Sequence, residues 1–200
     1  MADNSVLSLY KKCCSMPFGK RFFSWYGARK APYFSTVSPQ IESLEPNRCQ
    51  LLIVKRKRVQ NHIGTVHVIA IANGLEMAMG FMAEASIPKH LRWIPKGMSL
   101  EYPARADSDI RCTATVDANA WVPGDLQVKV EAVNASGATV VSGIIKLWIP
   151  RSRPKKWLDL VSRRMIAPCY KHGAISTALF VRCYQSSNQS ANSASHIACI

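Results

Sequence analysis

Acidic residues are scarce in this chain: 12 Asp and Glu stand against 26 Lys and Arg in 200 residues. Catalysis or binding that needs a rich supply of carboxylates therefore has few residues to draw on. There is no C-x-x-C pair. The seven cysteines, at 13, 14, 49, 112, 169, 183 and 199, show no ligand-like spacing with histidine. That excludes the common structural zinc patterns, and an odd, scattered set points to a reducing intracellular compartment. Long apolar runs are also missing. The longest stretch, 66–83, is broken by His67, Asn73 and Glu76, whereas a membrane span needs roughly 20 mostly apolar residues. The start of the chain lacks the apolar core and small-residue cleavage site of a secretory signal. It is basic, which suits a mitochondrial presequence, but Asp3 and the Pro17-Phe18-Gly19 break interrupt that pattern. A cytoplasmic protein, or a mitochondrial-matrix one, is the expectation. No Ser-His-Asp elbow, phosphate loop or dinucleotide fingerprint occurs.

What is present is a sizeable apolar fraction, 48%, enough for one globular domain with a real core but a squeeze for two. The net charge of +14 is uneven. Residues 1–30 carry six basic groups against one acid, 31–150 twelve against ten, and 151–200 eight against one. The middle is thus nearly neutral, and the basic character belongs to the flanks. Such flanks attract anionic partners, a membrane surface among them, or else they are solvated tails.

Local patterns give the organisation. A short helix is expected from Val6 to Cys14, ended by Pro17 and Gly19, and the aromatic run Phe22–Tyr26 should pack on the domain. Strands are expected at Gln40–Leu44 and Arg48–Val59. One long helix, His67–Ala85, has Thr65 as its expected cap and Pro88 just beyond its end. Alternating strands follow at 98–102, 112–116 and 126–131, with turns at 122–125 and 134–137, and then the more continuously apolar strand 139–149. One helix cannot cover both faces of about six strands. An antiparallel sheet curled around that helix, an α+β architecture, buries it best and leaves the other face for a partner. After Pro150 come a basic linker, a short amphipathic helix at Trp157–Met165 and a polar stretch, 185–196, with the composition of disorder. The division is a basic and aromatic segment 1–30, a domain 31–150 and a tail 151–200.

The helix reads as apolar on every side, the mark of burial. Glu76 is the only charge in Val68–Met82. A carboxylate there is paired, protonated or open to a cleft, because unpaired burial costs several kcal/mol; the bland alternative is a narrow solvent strip. The helix start brings free N–H groups and the positive dipole end together, suited to an oxygen gaining negative charge. Asn73, one turn before Glu76, is placed to hydrogen-bond to it.

The run Asn61-His62-Ile63-Gly64-Thr65-Val66-His67 into Ala72-Asn73-Gly74-Leu75-Glu76, with Arg92-Trp93-Ile94-Pro95-Lys96-Gly97-Met98 and Glu101-Tyr102, resembles an uncharacterised bacterial-type branch of the phenylacetate-degradation-like (PaaI-like) hotdog thioesterases. The resemblance covers about residues 16–150. It implies a hotdog fold and hydrolysis of a thioester, acyl-CoA or acyl-carrier, without a cofactor. In thioesterases of this superfamily a His-Gly-Gly opens the central helix, the first Gly N–H polarises the thioester carbonyl, and a carboxylate eight residues on is base or nucleophile. By that match His67 is the histidine, Val68 supplies the N–H and Glu76 the carboxylate. Val68 and Ile69 replace both glycines, which hinders close approach of a substrate.

Val68 and Glu76 lie about 12 Å apart at 1.5 Å per residue, too far to meet one carbonyl. Similar enzymes bring the two groups together from different subunits of a two-fold dimer, so the resemblance implies a homodimer here, or a dimer of dimers. Asn61, His62, His67 and Asn73 are the candidate substrate-binding residues. Asn61 either lines the site or caps the loop, and His67 reads as a histidine bonded to backbone. His62 and His67, five apart, do not share a helix face, so no metal is expected. Lys55-Arg56-Lys57-Arg58 reads as a solvated strand end, with coenzyme A phosphates as second choice for it and for Lys96; nucleic acid is not expected. The alternative to the enzyme is a non-catalytic acyl-ligand binder, which the lost glycines favour.

Overall fold

The computed structural model describes residues 5–151. Two helices, α1 (Ser5–Cys14) and α2 (Gly19–Lys30), are followed by a single turn, α3 (Phe34–Val37). Strands β1 (Gln40–Glu45) and β2 (Arg48–Ile53) pair through a tight turn in which Asn47 takes a left-handed conformation at φ 66°. The long helix α4 (Val68–Ser86) comes next. Four strands complete the described residues: β3 (Ile94–Glu101), β4 (Ile110–Thr115), β5 (Gly124–Val133) and β6 (Thr139–Ile149). All six strands join one antiparallel sheet in the order β1-β2-β4-β5-β6-β3. A single sheet around one long helix is the hotdog arrangement expected.

Strict alternation sets which face of the sheet meets the helix. In β5, Leu126, Val128, Val130 and Ala132 are buried, and in β4 Ile110, Cys112 and Ala114. They pack with Ile71, Leu75, Met79 and Met82 of α4, all fully buried. The opposite face carries Gln127, Lys129 and Glu131 with Arg111 and Thr113. Arg111 bridges over β2 to Glu42, Nε to Oε2 at 2.6 Å. Over β4 and β5 this face is polar, while in β6 it also carries Trp148, 42% exposed.

Approach of the helix to the sheet depends on Gly74. A Cβ added there would lie 2.6 Å from the Ile53 Cδ1 and 3.3 Å from the Cys112 Sγ, so α4 packs closely on β2 and β4 here and a side chain would have to push the end of Ile53 aside. By length and composition α4 also meets the requirement for a membrane span, but 61% of that window is buried inside the domain. It is the core helix.

Two sequence expectations change here. The second strand does not run to Val59. It ends at Ile53, and Lys57–Val59 form one 3-10 turn, because Lys55 is drawn away by Asp109, which accepts its N–H at 2.8 Å. The basic run 55–58 therefore lies on a loop and does not alternate along a strand. The aromatic run 22–26 does not pack as a whole either. Phe23 alone is buried, edge-on to Tyr10 at 5.2 Å and tilted against Phe81 at 5.5 Å, while Phe22, Trp25 and Tyr26 stay exposed. Helical spacing lets α2 turn only one of these rings inward. The helix and polar stretch expected beyond Pro150 lie outside the described residues.

The junction of β3 with β6 rests on Gly143, where an added Cβ would sit 2.1 Å from the Ser99 carbonyl oxygen. Backbone cannot yield as a side chain can. Gly143→Ala is expected to destabilise the domain by about 1–3 kcal/mol, the scale of overpacking, and a lowered urea midpoint at unchanged m-value is the measurement.

Candidate active site

The loop before α4 is built by Asn61. Its Oδ1 accepts the Ile63 and Thr65 N–H groups, both at 3.1 Å, and its Nδ2 donates to the Thr65 Oγ1 at 2.8 Å. Gly64 supplies the positive φ of 79° that this turn needs. Thr65 is thereby committed to Asn61 and does not cap the helix. The cap is His67: its backbone is extended, and its Nδ1 accepts the Ile69 N–H at 3.1 Å. An accepting Nδ1 puts the ring proton on Nε2. The His67 N–H in turn donates to the Val59 carbonyl at 2.8 Å, tying the helix start to the 3-10 turn.

Four N–H groups open any α-helix without an intrahelical acceptor. Here Ile69 is taken by the His67 ring, and Ala70 and Ile71 by the His67 carbonyl at 2.9 and 3.2 Å. Val68 is left. Its N–H has no partner among the described residues and stands at the positive end of the helix dipole, so it is the one donor at this end with room for an external acceptor.

Burial corrects the reading of α4 as apolar and covered on every side. Ile69, Ala72, Glu76, Gly80 and Glu84 recur every three or four residues and are exposed or half-buried, one open strip down the side away from the sheet. Glu76 sits half-buried in the middle of it. Trp93 flanks the strip further along: its indole lies 3.7 Å from where a Gly80 Cβ would be, and its Nε1 donates to the Glu84 Oε1 at 2.9 Å. The tryptophan stood within the second motif, but nothing in the sequence tied it to the helix.

Asn73 does not bond to Glu76. It is 4% exposed, and neither its amide oxygen nor its nitrogen has a partner among the described residues. An amide buried in that way costs about 1–3 kcal/mol, which packing alone does not explain. The other candidates separate. His62 is exposed on the loop, and among the described residues no cluster of metal-binding groups forms. Lys96 is engaged by Asp125 at 2.7 Å. Cys49 and Cys112 are free but sealed in the core; burial pushes the Cys49 thiol up to about 12 and raises that of Cys112 as well. Both are protonated at neutral pH and behave as small apolar side chains. What this part of α4 offers chemically is the half-buried Glu76 carboxylate, the buried Asn73 amide one turn before it and, about 12 Å away along the helix, the Val68 N–H, which has no partner among the described residues.

A family model described as "Domain of unknown function (DUF4442)" matches residues 19–149. The chain belongs to the DUF4442 family. The match takes in α2 and all six strands. Among solved structures, a structural-genomics target is 36% identical with a TM-score of 0.65, covering 74% of this chain and 98% of that one. A Pseudomonas aeruginosa protein described as of unknown function, "Probable Thioesterase", is 19% identical at TM-score 0.60, covering 68% and 97%. A thioesterase from Staphylococcus aureus is 13% identical at TM-score 0.53, covering 59% and 98%. At the two lower identities the likeness is one of fold, and it is the hotdog fold. Comparison with curated proteins gives no match.

The amide of Asn73 gives this DUF4442 protein a direct stability test. Asn73→Leu removes two unpaired polar atoms for similar volume and should raise stability by about 1–3 kcal/mol. A thermal melt decides it. A fall in Tm means that the amide is paired by something outside this protomer's described residues.

Proposed function

We propose that this protein hydrolyses an acyl thioester, of the acyl-CoA type or carried on a protein, as a homodimer in which each site is shared. Glu76 of one subunit takes a proton from water as its oxygen attacks the thioester carbonyl carbon. The Val68 N–H of the partner subunit holds the resulting oxyanion; the C–S bond then breaks and the leaving thiolate receives the proton. Direct attack by Glu76, through an anhydride that water opens, uses the same residues.

The observation that carries this reading is the open strip of α4, which holds the half-buried Glu76 carboxylate, together with the helix start, where the Val68 N–H alone has no partner among the described residues. Two antiparallel copies of the strip set Glu76 of each beside the start of the other. Edge strand β3 supports the dimer: it is exposed along most of its length, and one of its edges lacks a strand partner, a condition that favours pairing with another chain. The spacing supports the residues. In the Staphylococcus aureus thioesterase the crystallised variants replace a glutamine and a glutamate fifteen positions apart, and Asn61 and Glu76 stand at the same separation. Asn61 then acts by shaping the loop, and Asn73 by orienting water beside Glu76. The free cysteines agree with a reducing location, cytoplasm or mitochondrial matrix.

A non-catalytic acyl binder is the second reading, and Ile69 favours it. At 55% exposure its side chain stands at the helix start, where the superfamily has glycine.

Glu76→Gln separates the two. It keeps size and hydrogen-bonding capacity but removes the basicity that attack requires. A thioesterase should lose at least about 100-fold in turnover while affinity for the acyl ligand and the melting temperature hold. Turnover retained in a folded Glu76→Gln dimer defeats the catalytic assignment. Light scattering that shows only a 22 kDa monomer defeats the shared site.

A further inference from the structure

Away from the α4 strip, a pocket of about 630 Å³ lies between α2, α3 and the start of β1. Three guanidinium-bearing residues line it, Arg21 and Arg29 from α2 and Arg56 from the loop after β2, together with the aromatic rings of Phe22 and Trp25. No carboxylate lines it. Neither ion pair among the described residues includes any of the three arginines. Three like charges around one cavity sum to a positive potential that favours an anion in the space.

Arg56 adds an independent sign. One of its terminal nitrogens donates to the Val37 carbonyl, which fixes the side chain, while its Nε is buried without a partner. A buried guanidinium donor left unpaired is costly, and a phosphate oxygen is the acceptor that the planar fork suits best. The walls add a second chemistry. Arg29 already lies over the Trp25 ring at 5.4 Å, so the indole is held at the pocket, half exposed, as a flat surface for stacking. The volume is in the range of small-molecule sites.

We propose that α2, α3 and Arg56 form a binding pocket for a phosphate group attached to an apolar or aromatic moiety, with Arg21, Arg29 and Arg56 as the phosphate ligands and Trp25 as the stacking wall. Two sources offer that chemistry: a phosphorylated nucleotide, as at the end of coenzyme A, or the headgroup of an anionic phospholipid. The site stands independently of the thioesterase reading, because none of its residues belongs to the α4 strip.

The test uses the full chain and two probes. Adenosine 3′,5′-bisphosphate is titrated calorimetrically, and vesicles of phosphatidylcholine with or without phosphatidic acid are used in co-sedimentation. Saturable binding to at least one phosphate probe is expected, weakened by salt. Arg21→Gln and Arg29→Gln, both at exposed positions, should each weaken it about tenfold, the scale of a lost charge-assisted bond, with an unchanged melting temperature. Arg56→Gln should do the same and is read only alongside its melt. Bisphosphate binding that vesicles do not compete assigns a soluble nucleotide; binding only to phosphatidic acid vesicles, Trp25-dependent, assigns a lipid headgroup. If neither probe saturates, or if the folded Arg21→Gln, Arg29→Gln double variant binds as the native chain does, the pocket is not a phosphate site. Glu76→Gln should leave this binding intact, so the two readings fail separately.

Discussion

The seating of α4 in the concave face of the sheet governs the rest of the molecule. Six strands can be covered on one side by a single helix only if the helix lies close and the sheet curls around it. At Gly74 it packs closely on β2 and β4. Leu75, Met79 and Met82 then fill the concavity, each fully buried and each contributing on the order of 1.5–3 kcal/mol relative to exposure. The same geometry dictates what is left over. A helix has a circumference, a sheet covers part of it, and the uncovered remainder is the strip that holds Glu76.

Fixing the helix also fixes its first turn. The chain must leave β2 and arrive at Val68 with the correct pitch, and it does so through a loop whose polar groups are spent on each other. Asn61 holds Ile63 and Thr65, Val59 holds His67, and His67 holds Ile69, Ala70 and Ile71. Rigidity at this point has a chemical result. When every neighbouring donor is committed, the remaining one is held in place by its surroundings, and the proposed oxyanion role would draw on that rigidity. A side chain at position 68 does not remove the N–H; it narrows the angle from which a carbonyl can reach it.

The fold was legible in the sequence because its two periods are clean. Alternation in 126–131 and the polar turn at 134–137 are reproduced in β5 and in the turn where the Asn134 Oδ1 accepts the Ser136 and Ala138 N–H groups. The site was legible only in part. Glu76 stood out as a lone charge, but the strip around it did not, since Ala72 and Gly80 look equally at home in a core. Hydrogen-bond competition was also hidden. Thr65 and His67 both carry groups able to cap a helix, and only the position of Asn61 decides between them. The strand beyond Ile53 failed for a comparable reason: its end is set by Asp109, more than fifty residues away in sequence, which no local pattern contains.

Asn73 connects these threads through its energy. A core amide with nothing to bond to works against the close packing at Gly74 one residue later, and Val or Leu would fill the place without that cost. The neighbouring residues show that the fold can satisfy its polar groups when they are purely structural. The Asn61 Oδ1 accepts two hydrogen bonds and the Asn134 Oδ1 three, and the Asn47 Oδ1 accepts the Trp121 Nε1–H at 2.7 Å. The exception falls one turn from the only carboxylate in the helix interior. Residues three apart on α4 lie on adjoining faces, so the unpaired amide at 73 adjoins the face that carries Glu76, and it is there that the proposed function would give it a partner.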